Sequence, residues 1–310
     1  MFSFLRRRIS LRKLLPAGID AHCHLLPGVD DGAPDMETAL EIIRTQQALG
    51  LRGAICTPHI MARYPDNTPT NLRSVFDSLL DFVNRKSEIV NFRLFLAAEY
   101  MLDEAFPRLL EHPDHLLTIP SHLITPASAS SPNSTLSTFN FQPSTFAPAS
   151  QGNTEGKCAP CVNPASASSP NSTLSLSRRS KEGASPNAKT ETFNLQLSTS
   201  AAADQNYILV ELPQYLLPEG WLDVLDSIRA CGLRPLLAHP ERYLRLLSES
   251  DLADLHARGL RYQGNLGSLA GIYGPQVQRL ARRLHKSGLY TTFGTDAHSP
   301  GMITKMDLAA

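Results

Sequence analysis

The segment "GIDAHCHLLPGVDDG" at residues 18–32 sets His22 and His24 one residue apart at the end of an apolar run, with Asp30 and Asp31 a few residues on. Side chains two apart on a strand point the same way, so the two imidazoles share a face. Two nitrogen donors on one rigid edge suit a divalent cation. The same residue types recur at the ends of later apolar runs. His59 closes "RGAICTPH", Glu99 closes "FRLFLAAE", Glu211 falls in "NYILVELP", His239 in "RPLLAHPE", and Asp296 and His298 in "YTTFGTDAH". A seventh run, "RYQGNLGSL", carries no strong ligand. One histidine near a strand end is usually an ordinary polar residue, and His112, His115, His122, His256 and His285 are read that way. The joint pattern is different, because burying so many ionisable groups together without a cation is costly. With Asp31 the candidate ligands are His22, His24, Asp31, His59, Glu99, Glu211, His239, Asp296 and His298. One ion takes roughly four to six ligands, so this set implies two or three ions, with a carboxylate such as Glu99 bridging. Imidazole and carboxylate without thiolate suit manganese, iron or zinc. Cys23 alternates away from the two histidines, toward the helices, and Cys56 is expected to fill the core.

The elements that position these residues follow a regular rhythm. Between the β-rich runs lie helical patterns such as "PDMETALEIIRTQQALG", "PEGWLDVLDSIRACG" and "GPQVQRLARRLHKSG". Each has a proline near its start and a glycine at its end, the order that helix termini favour. Alternating strands and helices predict a parallel sheet with right-handed crossovers. About seven such units favour a barrel over an open sheet. In a parallel barrel the strand ends share one face, and that face carries the active site.

Residues 121–206 break the rhythm. Serine, threonine, proline, alanine and asparagine dominate, and "PASASSPNSTLS" occurs twice, at 126–137 and 164–175. Such a composition buries too little apolar surface to offset its ordering entropy, so 121–206 is expected to be a disordered insertion. "CAPC" at 158–161 is a lone CxxC, a weak zinc signal. The expected organisation is a basic N-terminal arm over 1–17, a barrel domain from 18–120 and 207–310, and the insertion between its halves. The arm lacks the apolar core of a signal peptide, no run is long enough for a membrane span, and five cysteines do not form a secreted disulfide framework. A reduced, cytoplasmic protein is expected. Lysine plus arginine equals aspartate plus glutamate, 29 each, which gives no general attraction to nucleic acid.

The motifs "DAHCHLLPGVDDG", "TPH", "VELP", "AHPER" and "GTDAH" resemble those of the polymerase-and-histidinol-phosphatase (PHP) metallohydrolases. Within that superfamily the chain is most similar to the bacterial manganese-dependent tyrosine-protein phosphatases of capsule and exopolysaccharide operons. "LLPGVDDGA" and "AHPERY" are the more specific parts, and the resemblance covers everything except the arm and the insertion. It implies an α/β fold, a distorted (β/α)7 TIM-like barrel, with up to three metal ions, manganese first. It carries ligand roles to the residues named above and phosphate binding to Arg242. It further implies a substrate phosphotyrosine in the tail of a bacterial tyrosine kinase that regulates polysaccharide export. Two departures stand out: the insertion falls just before the strand carrying Glu211, and the chain stops twelve residues after His298, where relatives continue.

The implied chemistry is metal-assisted phosphomonoester hydrolysis, in which the metal activates water for attack on phosphorus. Arg242 balances charge on the phosphoryl oxygens, and a histidine or aspartate of the shell, such as His298 or Asp296, protonates the leaving oxygen. A cysteine-based phosphatase is a poor rival, since no cysteine has an arginine six residues later; Cys56 is followed by Arg63, one place too far. The alternatives are a histidinol-phosphatase-like enzyme acting on a small molecule, and a non-catalytic relic disabled by insertion and truncation.

Overall fold

The computed structural model describes residues 9–86, 89, 91–124 and 205–309. The repeats, the CxxC motif and the first eight residues of the basic arm lie outside the described residues. Along the chain run β1 (Ile19–Cys23), α1 (Met36–Ala48), β2 (Gly53–Cys56), β3 (His59–Ile60), α2 (Pro69–Asn84), β4 (Arg93–Leu96), β5 (Glu99–Met101) and β6 (Tyr207–Glu211). Then follow α3 (Trp221–Ala230), β7 (Arg234–Ala238), α4 (Glu249–Ala257), β8 (Arg261–Asn265), α5 (Leu266–Ala270), α6 (Pro275–Lys286) and β9 (Tyr290–Gly294). No helix among the described residues is long and apolar enough to cross a membrane.

The helices begin where the sequence offers caps. The Asp35 side chain accepts from the Thr38 N–H to start α1, and Ser248 and Asp251 form a reciprocal capping box on α4. Helix α2, which the three helical patterns above do not include, starts on the Thr68 cap with Pro69 in its first turn. Each helix turns its apolar residues inward; α1 buries Ala39, Leu40, Ile42 and Ile43.

The strands form mixed α/β architecture with every paired neighbour parallel. One six-stranded sheet has the order β9-β8-β7-β6-β5-β3, and a three-stranded sheet has the order β1-β2-β4. Only Thr57–Pro58 separates β2 from β3, and only Ala97–Ala98 separates β4 from β5. Backbone bonds carry the pairing across these breaks: Ala97 N–H donates to Cys56 O at 2.9 Å and Glu99 N–H to Pro58 O at 3.0 Å. At the far side, Asp296 N–H donates to His22 O at 2.7 Å and His24 N–H to Ala297 O at 3.0 Å. Gly294 permits that approach, since a Cβ there would stand 2.5 Å from the Cβ of His22.

Two differences from the sequence expectation have local causes. The run "RYQGNLGSL" is a strand only to Asn265, whose side chain accepts from the Gly267 N–H at 2.7 Å and caps α5. Residues Ser121–Ile124, placed at the start of the insertion, form a short helix that buries Leu123 and Ile124. They join an inner cluster with Ile19, Ile55, Ile119, Tyr207, Leu209 and Leu236. Ile119 and Tyr207 exchange two backbone hydrogen bonds, at 2.7 and 2.8 Å, so the two halves of the chain meet beside that helix.

Candidate metal centre

The register of the parallel strands brings the polar ends together. Pairing of β3 with β5 sets His59 opposite Glu99, and pairing of β5 with β6 sets Met101 opposite Glu211. In β1 the ladder shifts register between Asp20 and Cys23. Such an irregularity re-aims side chains: Asp20 meets Gln46 of α1 and Thr295, whereas His22 meets Gln263 and Glu99. His239 and Asp296 follow the ends of β7 and β9 with φ of +33° and +52°, in the left-handed region that non-glycine residues rarely adopt.

Glu99 lies at the centre. Its Oε2 is 3.2 Å from His22 Nε2, 3.4 Å from His24 Nε2 and 3.2 Å from His59 Nδ1, and its Oε1 is 3.2 Å from His239 Nε2. Both oxygens are buried, and neither accepts a hydrogen bond. Glu211 lies 3.6 Å from His239 Nε2 and 3.8 Å from His59 Nδ1. Asp31 Oδ1 is 3.5 Å from both His59 Nε2 and His298 Nε2. Asp296 Oδ1 is 3.3 Å from His24 Nε2. Three overlapping groups have donor atoms within 4.8 Å of one another: His24, Asp31, His59 and His298; His22, His24 and Glu99; and His59, Glu99 and Glu211.

A second layer fixes the imidazoles. The Gln263 amide donates to Gly264 O at 2.7 Å, which turns its oxygen to His22 Nδ1 at 2.8 Å. His24 Nδ1 donates to Asp30 Oδ2 at 2.9 Å, and Asp30 also accepts from the N–H groups of His59 and Gly32. His298 Nδ1 donates to Asp296 O at 2.9 Å. In the neutral form each of these three rings carries its proton on Nδ1 and turns Nε2 inward, as imidazoles that hold a metal do. Asp296 Oδ2 accepts from Asn265 Nδ2 at 2.8 Å and from Arg242 Nη1 at 3.1 Å, and the Arg242 guanidinium lies 4.9 Å from the centre of the Tyr273 ring.

The electrostatics show a pocket short of positive charge. Burial alone would lower the pKa of His22, yet Glu99 and Asp296 carry it up to about 9. His24 rises against its own burial in the same way, through Asp296, Asp30 and Glu99. Burial pushes Glu211 up to about 9, with Glu99 and Asp296 adding to it. Burial, aided by Arg242, lowers His239 to about 4. The protons drawn onto His22, His24 and Glu211 are what divalent cations would replace. The donor set, with the central unbonded Glu99 oxygens, fits such ions.

All nine candidate ligands lie in this cluster, with Arg242 at its edge. His112, His115, His122 and His285 are exposed and His256 is half-buried. Cys23 and Cys56 are buried, and burial pushes both thiols up, away from the thiolate form. Sequence reasoning missed the work of Asp30, Gln263, Asn265 and Tyr273. The spacing of Gln263 and Asn265, two apart on one strand, was the available signal.

The description "capsular polysaccharide synthesis, CpsB/CapC" belongs to the family that matches residues 18–122 and 189–304. The chain is 24% identical over 282 residues to the tyrosine-protein phosphatase YwqE of Bacillus subtilis (strain 168), covering 91% of this chain and 77% of that protein. It is 29% identical over 97 residues to CapC of Staphylococcus aureus, which spans 31% of this chain and 38% of that protein. A solved structure of the metal-dependent tyrosine phosphatases YwqE of Bacillus subtilis and CpsB of Streptococcus pneumoniae aligns with a TM-score of 0.59 at 21% identity. The alignment covers 92% of this chain and 81% of that one, a likeness of fold.

Proposed function

The chain belongs to the capsular polysaccharide synthesis CpsB/CapC family, and from that premise we propose that it is a metal-dependent protein-tyrosine phosphatase. The observation that carries this reading is Glu99, a buried carboxylate with two unbonded oxygens among four imidazoles. His22, His24, Asp31, His59, Glu99, Glu211, His239, Asp296 and His298 would hold two or three divalent ions, manganese first, with iron or zinc as alternatives. When bound, such ions supply a water of lowered pKa and charge to balance the phosphoryl oxygens.

The protein's own groups do the rest. Arg242 commits one N–H to Asp296 and keeps others for phosphoryl oxygens. Tyr273 supports its guanidinium plane, and Asn265 holds Asp296 in place. In this reading His298 or Asp296 returns a proton to the departing tyrosine oxygen. The wider reading has the β1 and β9 bonds closing a distorted (β/α)7 barrel, residues 121–206 as an insertion, and a cytoplasmic tyrosine kinase tail as substrate. The β1–β9 contacts and the family membership support it.

The test is phosphate release from phosphotyrosine peptides and from histidinol phosphate, with added manganese and with chelator. Chelator-sensitive release from the peptides is expected. Preference for histidinol phosphate would move the assignment to the small-molecule phosphatases, and release that chelator does not reduce would remove the metal.

A further inference from the structure

A groove of about 360 Å³ opens between the loop after β1 and the turn after β3. Its walls include Val29, Tyr64, Pro65, Leu72 and Val75, with Arg63 at the turn. It adjoins the metal centre through the chain on both sides. Val29 immediately precedes Asp30 and Asp31, and the turn from Arg63 to Asn67 follows His59. The Tyr64 ring lies parallel to the His59 ring, 10° between planes and 6.1 Å between centres. Asn67 Nδ2 donates to His59 O at 2.7 Å, which ties the groove wall to a cluster residue.

The centre opens on this side. The Asp31 side chain is 49% exposed, against 0–2% for His22, His24, Glu99 and His239. A phosphotyrosine entering past Asp31 would lay its neighbouring residues along the groove. The volume is at the low end of the roughly 300–1,000 Å³ of small-ligand sites, enough for one or two side chains. Arg63 is exposed, stands 5.4 Å from the centre of the Tyr64 ring, and has no carboxylate within ion-pair distance among the described residues.

Resting on the phosphatase reading above, we propose that this groove takes the residues flanking the phosphotyrosine and that Arg63 selects an acidic side chain among them. The apolar wall takes aliphatic groups, and the Arg63 cation, stacked on Tyr64, takes the carboxylate. Asp66 stands on the same turn and would favour the opposite charge, so the sign of the preference decides the matter.

The experiment uses the full chain loaded with manganese. The substrates are p-nitrophenyl phosphate and three phosphotyrosine peptides that differ only in having glutamate, alanine or lysine at the three positions on either side. The wild-type protein is expected to show a KM for the glutamate peptide about two- to fivefold below that for the lysine peptide, the size of a solvent-exposed ion pair. Arg63→Ala should erase the difference and Arg63→Glu reverse it, both with unchanged turnover of p-nitrophenyl phosphate. Equal KM for the three peptides, or preference for lysine, overturns the groove assignment while p-nitrophenyl phosphate turnover leaves the phosphatase reading standing. Loss of p-nitrophenyl phosphate turnover in the Arg63 variants also overturns it, because Arg63 would then act on the phosphate itself. A wild-type protein inert on every substrate removes both.

Discussion

On one side of the metal centre, His22, His24, Glu99 and His239 are at most 2% exposed, and Gln263 and Asp30 hold the rings of His22 and His24. On the other side, Asp31 and His298 are 49% and 27% exposed and sit on segments that follow strands. The enclosed side is fixed by strand register and by second-layer hydrogen bonds. The open side meets solvent and the adjoining groove. Holding ions and admitting a substrate place opposite demands on exposure, and the cluster divides them between its two faces.

The sharpest way to break this comparison is to remove the enclosed side. His22→Ala combined with His24→Ala should abolish phosphotyrosine hydrolysis and strip the bound metal, read by elemental analysis of purified protein beside a phosphate-release assay. Full activity in that variant would end the metal hypothesis. Arg242→Ala comes next, with turnover reduced roughly 100-fold, the scale of losing one donor to a developing anion. Its metal content should stay close to the wild type, because Asn265 still holds Asp296 when Arg242 is gone.

Smaller effects sharpen the contrast. Gln263→Ala frees the His22 ring and should weaken the tightest metal site by about 10- to 100-fold, whereas Asp31→Asn should weaken only the loosest. Manganese titration by calorimetry separates the two; an equal loss in both would show that the faces are not distinct. The smallest effect is expected far from either face. Joining residue 124 to residue 205 through a short glycine–serine linker should leave metal content and cooperative unfolding unchanged. Ile119 and Tyr207 already tie those ends together, and loop closure changes by only about 0.6 kcal/mol per doubling of loop length. An insoluble deletion variant would place the removed residues in the core.

How much of this was legible depended on the kind of signal. Glu99 and Glu211 could be read because each interrupts an apolar run at its end, where a strand must deliver a side chain to a shared face. The family motifs marked Arg242 in the same way. Gln263 and Asn265 offered only their two-residue spacing on one strand, which marks a shared face but not a partner: the contact that gives Gln263 its work, with His22, is 241 residues away. Asp30 was seen beside Asp31, but sequence does not show that Asp30 is the buried one of the pair, holding the His24 ring, while Asp31 stays half-exposed beside His59 and His298. The extent of "RYQGNLGSL" was misjudged for a related reason: Asn265 reads as one more strand residue until its side chain is seen closing a helix.

The left-handed backbones of His239 and Asp296 carry a consequence of their own. Each costs about 1–3 kcal/mol that surrounding contacts must offset, and each residue's side chain ends in the ion cluster. The same two residues donate their amides across strand ends, His239 to Gln263 O and Asp296 to His22 O. Local opening of these two segments should therefore be easiest when the cluster is empty and rarest when it is full. Deuterium uptake at these two amides becomes a gauge of occupancy, slowing as each ion arrives and readable with no substrate in the tube.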